Sequence, residues 1–277
     1  MTGTYESDGA RLGFHDTGAG LPVVFLHPTP LDHVYWRPVA EALTGVRAII
    51  PDLRGHGVSE LGQALPEGGF ALVPDAPVLT MAQLARDVLA LLDSLEVPTA
   101  FFASCSIGGY VLLELWRQAP QRMRGLAFVC SKPQPDAEAN LVKRVESISR
   151  VRSGGLGVLY DGRAQTLIGE TARRLRPEIV AELRVRMTLT PEAEVAVQAG
   201  LATRPDSVLT VNTITAPVLA IAGGEDSGAP PADMEAFRAA PGGCEYHVLA
   251  DAGHFAAYEQ PRKVADLLAG WLQKHSA

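Results

Sequence analysis

A serine, an aspartate and a histidine that could cooperate in acyl chemistry each lie in this chain where an apolar run ends. Ser106 stands in Ala103-Ser104-Cys105-Ser106-Ile107-Gly108-Gly109, between an apolar run ending at Phe102 and a helical run starting at Tyr110. This is the sequence form of a nucleophile elbow, a sharp strand-to-helix turn that holds the serine Oγ clear of the backbone, with the following N–H groups facing the same spot. Ser104 occupies the place where the Gly-x-Ser-x-Gly pattern has its first glycine. A serine hydroxyl is a poor nucleophile at neutral pH and needs a base within hydrogen-bonding reach, itself oriented by a third group. Asp226, in Gly223-Gly224-Glu225-Asp226, and His254, in Asp251-Ala252-Gly253-His254-Phe255, are the candidates. Glu225 is a second acidic neighbour, and Asp251 reads as a turn or surface residue. The side chain of Cys105 is expected to point away from that of residue 106, as the elbow geometry requires.

The elements that must position these groups follow from hydrophobic periodicity. Leu21–Leu26 and residues 46–50 read as short strands, with residues 35–43 between them as helix. Apolar residues at Met81, Leu84, Ala85, Val88, Leu91 and Leu92 predict a helix over residues 80–95 with Thr80 as its N-cap. Residues 100–103 and 126–129 read as strands flanking a helix at 110–118. Strand character returns at 217–222 and 245–249, and residues 261–274 close the chain as an amphipathic helix. Such alternation implies a mostly parallel sheet covered by helices on both faces. The crevice outside the carboxyl ends of its strands would bring residues 106, 226 and 254 together.

The rhythm breaks after Cys130. Residues 132–211 carry Pro133 and Pro135, then helical segments rich in arginine, including Arg144, Arg150, Arg152, Arg173, Arg174, Arg176, Arg184 and Arg186. Glutamates are mixed among them, so the segment reads as a solvated helical surface with local ion pairs, inserted over one end of the sheet. In the functional alternative, one or two arginines reach an anionic substrate. The expected organisation is a core of residues 1–131 and 212–277 interrupted by a helical cap at 132–211.

The 277 residues, 47% hydrophobic and 20% charged, suit one globular α/β domain with an insertion. A formal charge of −7 argues against a nucleic-acid partner and for small-molecule chemistry. Three cysteines, Cys105, Cys130 and Cys244, have neither metal-ligand nor disulfide-framework spacing, which favours reduced thiols and a cytoplasmic setting. The N-terminal stretch lacks the pattern of a signal peptide, and no apolar run approaches a membrane span.

With these motifs in place, the chain resembles the α/β-hydrolase superfamily, and within it the esterase and 3-oxoadipate enol-lactonase-like branch. The likeness rests on His27-Pro28-Thr29-Pro30 after the third strand and on Asp52-Leu53-Arg54-Gly55-His56-Gly57-Val58-Ser59 after the fourth. It rests also on the elbow, on Gly223 to Asp226, on Ala252-Gly253-His254, and on the chain order Ser, Asp, His. The resemblance implies an α/β-hydrolase fold with a helical cap after the sixth strand, acting without cofactor or metal. It makes Ser106 the nucleophile, His254 the general base and then acid, and Asp226 the group that fixes the imidazole. The backbone N–H groups of Thr29 and Ile107 would form the oxyanion hole. Pro28 stands where the family has glycine and has no N–H to offer. His33, Tyr35 and Trp36 follow the oxyanion loop and could line the pocket, although Trp36 is equally placed for the core. His27 and His56 take structural roles, and Arg54 ties its loop to carbonyls or a carboxylate.

The implied reaction is hydrolysis of a small carboxylic ester or lactone through an acyl-enzyme. Carbon–carbon bond hydrolysis, acyl transfer and lyase chemistry use the same three residues, and fold does not select among them. A ligand-binding member of the fold with little or no hydrolysis is the other class, motivated by Ser104 and Pro28. A haloalkane dehalogenase needs a carboxylate where this chain has Ser106.

Overall fold

The structure, a computed structural model, describes residues 2–62, 66 and 69–276. Eight strands form one sheet: β1 (Thr2–Ser7), β2 (Ala10–Asp16), β3 (Leu21–Leu26), β4 (Val46–Pro51), β5 (Ala100–Cys105), β6 (Met123–Val129), β7 (Val218–Gly223) and β8 (Cys244–Leu249). Their order is β1-β2-β4-β3-β5-β6-β7-β8, with β2 antiparallel to both its neighbours and the remaining pairs parallel. β5 and β7 are buried along their whole length, as expected of strands covered on both faces; β7 reads as a continuous apolar run and β5 as one interrupted by Ser104. The β1–β2 hairpin lies at the sheet edge, where β1 buries only Tyr5 and Ser7, so its apolar signal is weak.

The helices packed on the sheet follow the sequence expectations with local differences. Helix Met81–Ser94 starts where predicted, and the Thr80 Oγ1 accepts the Gln83 N–H at 3.1 Å. The stretch 35–43 opens instead as a tight 3₁₀ turn, His33–Trp36, because the Asp32 carboxylate caps it by accepting the Val34 N–H at 2.9 Å. The elbow helix, Ile107–Gln118, begins three residues before the expected Tyr110. Its early glycines are needed there: a Cβ on Gly108 would collide with the Leu26 carbonyl, and one on Gly109 with the Ser131 side chain.

Between β6 and β7 the chain forms helices Glu138–Arg152, Leu156–Thr166, Glu170–Leu175, Ile179–Arg184, Pro191–Ala202 and Val208–Val211, and no strand among the described residues. The expectation of a merely solvated, ion-paired surface is corrected here. Arg152 and Arg184 do pair with Asp75 and Asp161 at exposed positions. Inside the insert, however, Glu194 is fully buried and accepts from Tyr160 Oη at 2.9 Å and Gln198 Nε2 at 2.7 Å, with Arg163 also 2.7 Å away. Arg144 bonds Gln198 and Asp136, and Arg204 pairs with Asp136 at 2.8 Å while stacking on the Tyr110 ring of the elbow helix. The cause is the depth of helix Pro191–Ala202, buried from Ala193 to Leu201 and bonded to the core through Leu79 N–H and Ala196 C=O. Polar groups carried that deep must find partners inside the protein. No described helix is long and apolar enough to cross a membrane.

Candidate active site

Ser106 links β5 to its helix at φ 53° and ψ −118°, a conformation costly for a residue with a side chain and kept only where its surroundings over-determine it. Here the Ser106 N–H donates to the Val129 carbonyl, and the Ser106 carbonyl accepts from the Gly109 N–H and, at 2.9 Å, from Ser131 Oγ. Ser104 is fully buried, and its hydroxyl donates to the Ala127 carbonyl of β6 at 2.9 Å. The hydroxyl at the usual glycine position is therefore satisfied by the neighbouring strand, at no cost in an orphaned polar group.

The loops after β7 and β8 bring Asp226 and His254 together. Asp226 Oδ2 accepts from His254 Nδ1 at 2.8 Å, while Oδ1 takes the N–H groups of Gly228 and Ala229. Burial raises the Asp226 carboxyl, but the facing imidazole and the two amides outweigh it and hold it below the ordinary carboxylate value. Burial likewise pushes His254 down, and the Asp226 charge and hydrogen bond turn the balance upward. With Nδ1–H committed to Asp226, a neutral His254 carries its lone pair on Nε2.

The backbone N–H groups of Gly253, His254 and Phe255 all have partners. Gly253 N–H and Phe255 N–H donate to the two oxygens of Glu259 at 2.8 and 3.1 Å, and His254 N–H donates to the Leu167 carbonyl of the insert at 2.8 Å. The Cys130 thiol donates to the Gly253 carbonyl, and the Cys105 thiol donates to the His254 carbonyl at 3.5 Å. Burial pushes both thiols well up, so they stay protonated donors. Cys105 thus faces the core side, away from Ser106, and joins the residue before Ser106 to the backbone of His254.

The other candidate residues separate cleanly. Pro28 has its carbonyl used twice, by His27 Nδ1–H at 3.0 Å and Leu31 N–H at 3.0 Å, so the turn needs no donor from residue 28. His27 Nε2 accepts from the Leu53 N–H. His56 donates Nδ1–H to the Arg54 carbonyl, and its Nε2 accepts the Thr29 hydroxyl at 2.9 Å, fixing the residue whose N–H was expected at the oxyanion hole. Burial drives His56 down to about 3, so the ring is neutral. Ile107 opens its helix, where the first N–H groups lack intrahelical partners and the dipole favours negative charge.

Tyr35, a possible pocket residue, is instead fully buried in the core, where its Oη donates to Cys105, and Trp36 takes the core alternative, packing on Phe25 and donating to the Leu26 carbonyl. His33 is only partly buried and binds Asp52 at 2.9 Å. Arg54 grips Asp87 through two nitrogens and also donates to the carbonyls of Ser7 and Leu61. Asp251 is an exposed turn residue. Glu225, the rival of Asp226, takes the Thr171 N–H and hydroxyl from the insert. Sequence reasoning missed Glu259, Cys130 and residues 167–171 as supports of the histidine loop. A glutamate five positions after the histidine is a faint signal, and the others leave none.

Comparison with known proteins agrees with this architecture. The thermophilic esterase of Thermogutta terrifontis, solved with malate bound, superposes with a TM-score of 0.88 at 31% identity, covering 99% of this chain and 97% of that one. The 3-oxoadipate enol-lactonase 1 of Acinetobacter baylyi is 25% identical over 91% of this chain and 88% of its own length. The 2-succinyl-6-hydroxy-2,4-cyclohexadiene-1-carboxylate synthase of Salmonella arizonae is 29% identical over 91% and 94%. The alpha/beta hydrolase family model matches residues 23–267, a span that holds the elbow, both loops and the insert, and the chain belongs to that family.

Proposed function

We propose that this protein is a cofactor-independent serine hydrolase acting on a small carboxylic ester or lactone, with Ser106 as nucleophile, His254 as base and acid, and Asp226 as the group that orients the imidazole. The observation that carries the reading is the 2.8 Å bond between His254 Nδ1 and Asp226, on a loop bonded to the residue before Ser106. Ser106 Oγ attacks the carbonyl carbon while His254 Nε2 takes its proton. The negative oxygen that forms is held by the N–H groups of Ile107 and Thr29. Collapse returns the proton to the leaving oxygen, which departs as an alcohol or, from a lactone, stays tethered to the acyl chain. Water then attacks the acyl-enzyme with His254 again as base, releasing the acid and restoring Ser106. The insert acts as a cap over the strand ends, setting which acyl groups enter.

The esterase and enol-lactonase relatives support ester or lactone cleavage. A second reading, lyase or synthase chemistry on the same residues, is favoured by the identity to the synthase. A fluorophosphonate probe tests the first step: wild-type protein becomes labelled and Ser106→Ala does not. Equal labelling of the two, or none of wild type, refutes the assignment. A panel of short esters, lactones and β-diketones with single-turnover detection of the acyl-enzyme then separates the reactions.

A further inference from the structure

Glu259 has no part in the chemistry just described, yet it is buried and receives three backbone N–H groups. Its Oε1 takes Phe255, and its Oε2 takes both Gly253, at 2.8 Å, and Gly169 of the insert, at 3.1 Å. The first two flank His254, and the third lies in the segment whose Leu167 carbonyl binds the His254 N–H. Gly169 and Gly253 are forced into this contact: a Cβ on Gly169 would lie 2.6 Å from the Gly253 nitrogen and 2.8 Å from Glu259 Oε2. Glu225 clamps the next residues by accepting from Thr171, so the insert is fastened beside both Asp226 and His254.

We propose that Glu259 is a positioning residue, whose single carboxylate fixes the backbone on both sides of His254 and ties it to Gly169, so that imidazole placement and seating of the insert are set by one group. The proposal rests on His254 serving as the base for Ser106. Burial raises the Glu259 carboxyl and the three N–H groups pull against that rise; as a carboxylate it offers two acceptor oxygens to the three donors, whereas an amide would turn an NH₂ toward at least one of them. The charge also bears on His254. Asp226 faces the imidazole most directly, Glu259 adds to its pull, and Lys132, paired with Asp233, opposes both. On its outer side Glu259 borders a cleft of about 490 Å³ that also holds Arg176, Asp251, Arg262 and Lys263.

The test compares Glu259→Gln, Glu259→Asp and Gly169→Ala with wild type. Two quantities are read: the fluorophosphonate labelling rate, and the His254 pKa from an NMR titration of the imidazole assigned with His254→Gln. Glu259→Gln is expected to slow labelling about 10- to 100-fold, the usual penalty for a misplaced reacting group, in protein that still melts cooperatively. The His254 pKa should fall by about 0.5 or more as the neighbouring negative charge is lost. Glu259→Asp, which keeps the charge but shortens the reach, slows labelling with the pKa near wild type. Gly169→Ala, whose added methyl meets the Gly253 nitrogen and the carboxylates of Glu225 and Glu259, slows labelling by forcing the insert off the histidine loop. An unchanged His254 pKa in Glu259→Gln, or wild-type labelling in Gly169→Ala, overturns the proposal. If wild type itself never labels, the serine-hydrolase reading falls, while the titration still decides whether Glu259 acts on the imidazole.

Discussion

The bond between His254 and Asp226 sets both the tautomer of the imidazole and its readiness to take a proton. On the proposed assignment of neutral His254 as the base, kcat/KM falls as pH drops through its pKa. That pKa is raised above 6.5 by Asp226 against the opposing effect of burial, so the acid limb should lie above 6.5. Asp226→Asn keeps the shape but removes the charge, and with its amide oxygen held by the Gly228 and Ala229 N–H groups it turns an NH₂ toward His254 Nδ1. It should lower kcat about 10⁴-fold and displace the limb to lower pH, measured as kcat/KM against pH with chemistry limiting. A limb below 6 in wild type would contradict the arrangement. Motif and chain order singled out Ser106, Asp226 and His254 as candidates. Which acid of the pair 225–226 faces the histidine was decided by the turn that sends Asp226 to His254 and Glu225 to Thr171.

At the scale of elements, the insert and the core are joined by close backbone approaches that only glycine permits. Gly200 of helix Pro191–Ala202 lies directly against the Leu79 carbonyl, with no room for a methyl group, whereas Gly162 in helix Leu156–Thr166 has open space around it. Gly200→Ala is therefore expected to cost about 1–3 kcal/mol through overpacking, and Gly162→Ala to add about 0.5–1 kcal/mol by restricting the unfolded chain. Thermal melts followed by circular dichroism measure both, and a Tm change of the same sign in the two variants would refute the packing account. The periodicity of residues 80–95 and 261–274 revealed those helices because each keeps one face in water. Helix Pro191–Ala202 is buried almost all round, so its pattern carries no amphipathic signal, and the network that its Glu194 forms with Tyr160 and Arg163 of helix Leu156–Thr166 could not be read in advance.

For the molecule as a whole, two buried neutral histidines link folding to pH. Burial lowers both His27 and His56, the latter to about 3. The unfolded chain takes up protons near pH 6.5 that the folded one refuses, so between about 6.5 and 3 the unfolded state binds more protons and stability rises with pH. The stabilisation is complete above the unfolded value and is lost as pH falls toward 3. His56→Gln, which offers a donor for the Arg54 carbonyl and an acceptor for the Thr29 hydroxyl without titrating, should show a shallower fall of Tm between pH 6.5 and 4. Parallel Tm-against-pH curves for wild type and variant would refute this.

The sequence by itself determined the alternation of strands and helices, the split of the sheet by a strandless insert, and the three residues at strand ends. Each of these is written locally, in apolar period, turn residues and short motifs. Only the tertiary structure decided that Tyr35 and Trp36 belong to the core, that the hydroxyl of Ser104 is spent on β6, and that Glu259 and two buried thiols hold the His254 loop. These are contacts between residues far apart in the chain. Their partners are backbone carbonyls and N–H groups, which every residue carries and which no sequence pattern marks.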